Sequence, residues 1–436
     1  MRYGLCLQWC FLALTVQLLH DLANVYPASR DGEAQVLGVP SIDALLEVFM
    51  LRVSGPADTQ HQHPPERNPD DEEMLFQDDD NAAPESPSNI FFSGFAQRNK
   101  RPTPVLEISS SLSGAGKSQL LYYLVARAIL PRSYNDIHIG GQEAAVVFMD
   151  ADDRFDADRL RVVTRSLLQQ SVSQAVQRTN PGDPGSLSTE GIESVLVSSL
   201  QHVHIFRPQS SSALLATLSK LDGYLYDVSQ HHSSSRPLQM LVIDSATAFI
   251  WQDRLRDEVA RTEEIGRPRE EVDRERELKQ SFYLSDLYAE MVKQLKRLQS
   301  RFGCTVVYTT VSGGRAPVPN AGDHSGPFGQ YDRTASRIPS LRPPLPAPWG
   351  TFPTLRLIVH RDAVRSFPPG ISAHSVTKEA AMRQSVVQQG KFSGWVNGWD
   401  HEEWPRRVAD GVDAHNGGSF SFYIKDVGVE IPLPDQ

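Results

Sequence analysis

The sequence predicts an α/β protein whose core is a largely parallel central sheet around a phosphate-binding loop. Three observations carry this. Short apolar runs alternate with helix-length segments from about residue 103 to the end. A Gly/Ser-rich stretch follows the first run and opens a helix. A later apolar run ends in an aspartate.

The elements can be taken in order. Residues Leu5 to Leu19 form an apolar run behind the lone Arg2. It reads either as a signal-peptide h-region, too short for a membrane span of roughly 20 residues, or as an amphipathic helix that binds the core or a partner, or as sequence from an upstream start. Ser41 to Phe49 has helical spacing with Ser41 as N-cap. From Asp58 to Glu85 there are ten acidic residues, one basic residue and four prolines, a composition that buries nothing and reads as a disordered acidic arm. An apolar cluster, Ile90 to Ala96, then docks on the core or on a partner. The domain reading is therefore 1–57 as an N-terminal apolar and helical segment, 58–89 as the acidic linker and 90–436 as the core, with a flexible loop at 312–348.

Within the core the runs are Val105–Ser109, Val146–Asp150, His202–Phe206, Leu241–Asp244, Thr305–Thr309, Leu355–His360 and Phe420–Lys425. Helices are expected at Lys117–Leu130, stopped by Pro131, and at Ser281–Arg301, where Leu284, Leu287, Tyr288, Met291, Leu295 and Leu298 share a face. Arg254–Lys279 is dense in both charge signs and reads as a solvated helix or insertion.

The 436 residues carry a formal net charge of −10. The acidic arm accounts for nearly all of it, so the core is close to neutral and a local DNA-facing surface is not excluded. Cys6, Cys10 and Cys304 form no C-x-x-C pair, which excludes a disulfide framework and a thiolate zinc site and favours an intracellular setting. The histidines form no convincing metal site, and no serine or cysteine nucleophile arrangement stands out.

The chemistry concentrates at Ser111-Leu112-Ser113-Gly114-Ala115-Gly116-Lys117-Ser118-Gln119. Glycines let successive backbone N–H groups face phosphates, a lysine reaches the β/γ-phosphates, and a serine hydroxyl meets Mg²⁺. Ser111 stands where the strict motif has its first glycine. The bland alternative is a Gly/Ser turn capping an ordinary helix. Asp244, closing the run Leu241-Val242-Ile243, supplies a carboxylate that can hold Mg²⁺, directly or through water, beside Ser118, although many buried strands end in this way. Asp150, Asp152, Asp153 and Asp156 follow another run; one of them polarises an attacking water, or all form a solvated acidic turn.

These stretches in combination, with Leu121-Tyr122-Tyr123-Leu124, Phe155-Asp156, Arg159-Leu160, Ser245-Ala246-Thr247-Ala248-Phe249-Ile250-Trp251 and Phe422-Tyr423-Ile424-Lys425-Asp426-Val427-Gly428-Val429-Glu430, resemble the RecA-type recombinase paralogues of eukaryotes over about residues 103–430. The resemblance implies a RecA-like P-loop core that binds ATP and Mg²⁺. It also implies homologous-recombination repair in the nucleus, within a complex of sister paralogues that assists the recombinase filament on single-stranded or branched DNA, with no membrane role. Lys117 and Ser118 then match the phosphate and Mg²⁺ contacts, Asp244 the metal-side aspartate, and Asp152 the position of a catalytic glutamate. Asp152 is one methylene shorter, which displaces a bound water by about 1.5 Å where about 1 Å matters. Active recombinases carry a glutamine just after the strand equivalent to Thr305–Thr309, whereas here the chain reads Tyr308-Thr309-Thr310-Val311, with no amide. The expectation is ATP binding with weak hydrolysis. The rivals are a generic P-loop ATPase or phosphotransferase unrelated to DNA, and a pseudo-ATPase scaffold.

The segment 312–348 holds eight prolines and five glycines, and its arginines Arg315, Arg333, Arg337 and Arg342 are DNA-contact candidates, with Phe328 and Tyr331 for stacking. The alternative is an insertion of biased composition.

Overall fold

The computed structural model describes residues 36–50, 103–135, 137–178, 189–277, 283–312, 339–362, 370–399 and 401–432. The apolar run at residues 5–19, the acidic linker and the cluster Ile90 to Ala96 lie outside them.

The expected α/β architecture is present. Among the described residues, a sheet of nine strands runs in the order β11-β10-β9-β8-β1-β7-β6-β4-β5. β1 (Val105–Ser110), β4 (Ala145–Asp150) and β6 (Leu238–Asp244) sit among β5 (Val203–Phe206), β7 (Thr305–Val311) and β8 (Leu355–Arg361), and these six are mutually parallel. Every residue of β1 and β4 is buried, as in strands covered on both faces. β9 (Lys391–Val396), β10 (Ser419–Lys425) and β11 (Gly428–Glu430) continue the sheet antiparallel. A small hairpin of β2 (Ser133–Tyr134) and β3 (Ile137–His138) stands apart.

Helices cover both faces. On one, α2 (Lys117–Ile129) buries Leu120, Leu121, Leu124 and Val125 against Ile108 and Val242. A helix apolar on nearly every side has to lie inside. It ends at Leu130, whose extended backbone precedes Pro131. Beside it lies α3 (Ala157–Arg178), with Leu160, Val163 and Leu168 in the same cluster. On the opposite face, α5 (Ser211–Tyr226) and α8 (Leu284–Phe302) pack Leu218, Tyr288 and Leu295 against Val306, Tyr308 and Trp349. The remaining helices are α4 (Thr189–Leu200), α6 (Ile250–Glu263), α7 (Arg269–Glu277), α9 (Ala373–Gln388) and α10 (Arg406–Ala414). The charged stretch read as a solvated helix or insertion is α6 and α7. No helix among the described residues is long and apolar enough to cross a membrane.

The N-terminal helix, α1 (Pro40–Met50), is joined to the core, with Ile42, Leu45, Leu46 and Phe49 buried and the Phe49 ring edge-on to Trp404. Its first turn differs from the expectation. The helix begins at Pro40, which suits the first position because that N–H is unused there. Asp43, not Ser41, holds the entering chain, accepting from Leu37 N at 2.7 Å and Val39 N at 3.0 Å.

Parallel register sets the working edge. Asp150 lies opposite Asp244, Ile243 opposite Tyr308, and Ser110 opposite Val311. The chain therefore delivers Ser110, Asp150, Asp244 and Thr309 to one end of adjacent strands, the end where ligands of open α/β sheets bind.

Candidate functional site

The loop between β1 and α2 is shaped by two glycines in the left-handed region, Gly114 at φ 76° and Gly116 at φ 91°. A Cβ on Gly114 would meet nothing within 4 Å, leaving that side open to a ligand, whereas one on Gly116 would lie 2.9 Å from Phe392 and 3.0 Å from Ile424. One glycine thus gives access and the other lets the loop sit flush on β9 and β10. Ser113 and Gly114 are exposed and Ala115 is buried, while Ser111 is half-buried in the position the motif gives to glycine.

Lys117 is buried, and its ammonium donates to Ser110 Oγ at 2.6 Å. An ammonium has three donors, so this bond leaves capacity for a phosphate oxygen. Burial lowers its pKa, while the negative charges of Asp244 and Asp152 raise it again. Ser118 Oγ donates to Asp244 Oδ2 at 2.7 Å, and Thr309 Oγ1 donates to Asp244 Oδ1 at 2.5 Å. The next residue, Thr310, points to the other face of the sheet and donates to the buried Glu107 at 2.9 Å. Arg356 Nε lies 3.2 Å from the same carboxylate. Burial raises the Glu107 pKa, and the Arg356 charge opposes this.

The loop after β4 is held by Asp150. Its oxygens accept from Arg154 N at 2.9 Å and Phe155 N at 3.0 Å, and Arg207 Nε lies 3.3 Å from one of them. Ala151 N donates to Asp244 O at 2.7 Å, which fastens the loop to β6. Asp152 is exposed at the mouth of the site. Partial loss of hydration and then the neighbouring Asp244 charge raise its carboxyl pKa, and the charges of Arg154 and Lys117 oppose this.

The structure thus brings Lys117, Ser118, Asp244 and Asp152 together. Gln119 belongs to the same helix turn, but its Oε1 accepts from Arg159 Nε at 2.7 Å. Of the DNA-contact candidates, Arg342 is exposed and its carbonyl accepts from Ser312 Oγ at 3.2 Å; Arg315, Arg333 and Arg337 lie outside the described residues. Sequence reasoning missed Ser110, Thr309 and Arg207 as members of the site. Ser110 and Thr309 were legible as polar residues at or near the ends of buried strands, whereas nothing local marks Arg207.

The donor set suits a hard divalent cation with phosphate: a hydroxyl and a carboxylate on adjoining elements, an open glycine cradle, and a buried ammonium with spare donors. Among the described residues no cluster of three or more His, Cys, Asp or Glu side chains forms a separate metal site.

The chain is 25% identical over 277 residues to the DNA repair protein XRCC2 homolog of Arabidopsis thaliana, covering 59% of this chain and 69% of that one. It is 33% identical over 143 residues to the DNA repair protein XRCC2 of Mus musculus, of which it covers 40%. It is 28% identical over 136 residues to the DNA repair and recombination protein RadA of Haloquadratum walsbyi, of which it covers 37%. The chain therefore spans about two thirds of the plant relative and well under half of the other two. No family model matches it.

Proposed function

We propose that this chain, an XRCC2-like paralogue of the RecA family, binds ATP with Mg²⁺ at the loop 111–119. It does so as a subunit of a nuclear paralogue complex that assists a recombinase filament on single-stranded or branched DNA. A role in DNA repair and recombination follows from the relatives. The observation that carries the nucleotide reading is the Ser118–Asp244 bond, which joins the loop to the sheet at the point where a cation is needed.

In this reading the backbone N–H groups of 113–118 and the Lys117 ammonium hold the phosphates, Ser118 and Asp244 hold the cation, and Thr309 fixes the Asp244 carboxylate. Bound Mg²⁺ neutralises phosphate charge and orients the nucleotide. Asp152 is the residue that orients an attacking water. Its short side chain and the lack of an amide in Tyr308-Thr309-Thr310-Val311 make hydrolysis slow, so nucleotide serves mainly to hold an interface. Affinity purification of the full-length chain from its own cells with mass spectrometry tests the assembly: RecA-like paralogues recovered in ATP, and lost with Lys117→Ala, support it, and their absence in both contradicts it.

A further inference from the structure

We propose that Arg159 is a positioning residue for the nucleotide loop, tying the first turn of α2 to the turn between β10 and β11; this rests on the nucleotide reading above. Arg159 lies on α3, and its guanidinium bridges two distant parts of the chain. Nε donates to Gln119 Oε1 at 2.7 Å, and Gln119 immediately follows Ser118. On the other side, Nη1 donates to Asp426 O at 2.7 Å, and Nη2 donates to Lys425 O at 2.7 Å and to Gly428 O at 3.4 Å.

Three features make this more than a surface contact. The guanidinium presents its donors in a rigid plane, so a group that engages the turn on one edge and Gln119 on the other fixes the separation between them. The Arg159 backbone is itself fixed, because its N–H donates to Asp156 Oδ1 at 2.9 Å in the first turn of α3. The turn also packs closely on α3, since a Cβ on Gly428 would lie 2.6 Å from Ser166 Oγ.

The C-terminal strands therefore meet the nucleotide loop twice. Phe392 and Ile424 set the height of the loop at Gly116, and Arg159 sets the lateral position of the next turn at Gln119. Phe392 stacks on Phe422 with ring centroids 5.3 Å apart, so the first contact is backed by β10 as well. Lysine cannot replace Arg159, because one ammonium does not span both the Gln119 amide and the turn carbonyls. Coupling of this kind is reciprocal. If Arg159 positions the loop for nucleotide, nucleotide in turn quiets the turn at 425–428.

The test uses the full-length chain as wild type, Arg159→Ala and Arg159→Lys. It measures the Kd of a fluorescent ATP analogue with Mg²⁺, the melting temperature without nucleotide, and amide exchange at 425–428 with and without nucleotide. Arg159→Ala and Arg159→Lys are each expected to weaken binding about tenfold. Nucleotide-dependent protection of the turn is expected in the wild type and lost in Arg159→Ala. If Arg159→Ala does not fold, Gln119→Ala breaks the same bridge from its other end and is expected to lose the same protection. Unchanged Kd with protection retained overturns the inference, as does a lowered melting temperature with both unchanged. No binding by the wild type overturns the nucleotide reading and this inference with it.

Discussion

Ser118 Oγ donates to Asp244 Oδ2 at 2.7 Å, joining residues 126 positions apart. Thr309 occupies the other oxygen, so the carboxylate is aimed before any ligand arrives. Replacing Asp244 with Asn keeps the shape and removes the charge. Mg²⁺-dependent nucleotide affinity should then fall by roughly 10- to 100-fold, the range for a hydrogen bond to a charged group. Affinity measured in chelator should change far less. Equal losses with and without Mg²⁺ would remove Asp244 from the cation site.

Gly116 and Gly114 share a left-handed backbone but differ in what surrounds them. Gly116→Ala adds conformational strain to a collision with Phe392 and Ile424, and should cost about 2–4 kcal/mol in urea unfolding. Gly114→Ala meets open space and should cost about 1–2 kcal/mol. The reverse order would contradict the placement of the loop on β9 and β10.

The histidines near the β5 edge make a pH-dependent contribution. His202 Nδ1 and His204 Nε2 each bond Ser233 Oγ at 2.9 Å, and His204 Nδ1 bonds Tyr224 at 3.0 Å. The donors run from Tyr224 to His202 or in reverse, and either direction leaves both rings neutral. Burial, and then neighbouring positive charge, push both down to about 4 from 6.5. The unfolded chain therefore takes up protons first, and stability falls as pH drops from about 6.5 towards 4. Between pH 7 and 5 the loss should be roughly 1–2 kcal/mol per histidine. Asp43 acts in the opposite sense: burial raises it to about 6, so folding binds its proton and stability rises as pH falls through that value. The difference between wild type and His202→Asn/His204→Gln in urea unfolding isolates the histidine part, and a difference that does not change with pH would refute it.

The DNA-binding role proposed for 312–348 has its own check. Reversing Arg315, Arg333, Arg337 and Arg342 to Glu should weaken binding to single-stranded DNA and flatten its salt dependence, by roughly 0.7 in slope for each phosphate that is no longer neutralised. An unchanged affinity and slope would make the segment a connector.

Much of the fold was legible in the sequence because most of its strands carry short apolar runs, and all seven runs are strands. β9 escaped because Lys391-Phe392-Ser393-Gly394-Trp395-Val396 buries alternate residues and carries Ser and Gly on a short strand. Its function is equally hidden: Phe392 matters because it fits under Gly116, 276 positions away by number. That Lys117, Ser118 and Asp244 come together was legible because each sits in a recognisable local pattern. Arg207 and Arg159 could not, since what defines them is a partner on another element. At α1, Ser41 had the right type for a cap, but Pro40 claims the first helical position and the Asp43 carboxylate reaches back to the entering backbone.

Calorimetric titration of the full-length chain with ATP in Mg²⁺, beside Lys117→Ala, tests the central claim most directly. One saturable site in the wild type, lost in the variant and weakened in chelator, is the predicted result. No binding by the wild type, or equal binding by Lys117→Ala, would contradict it.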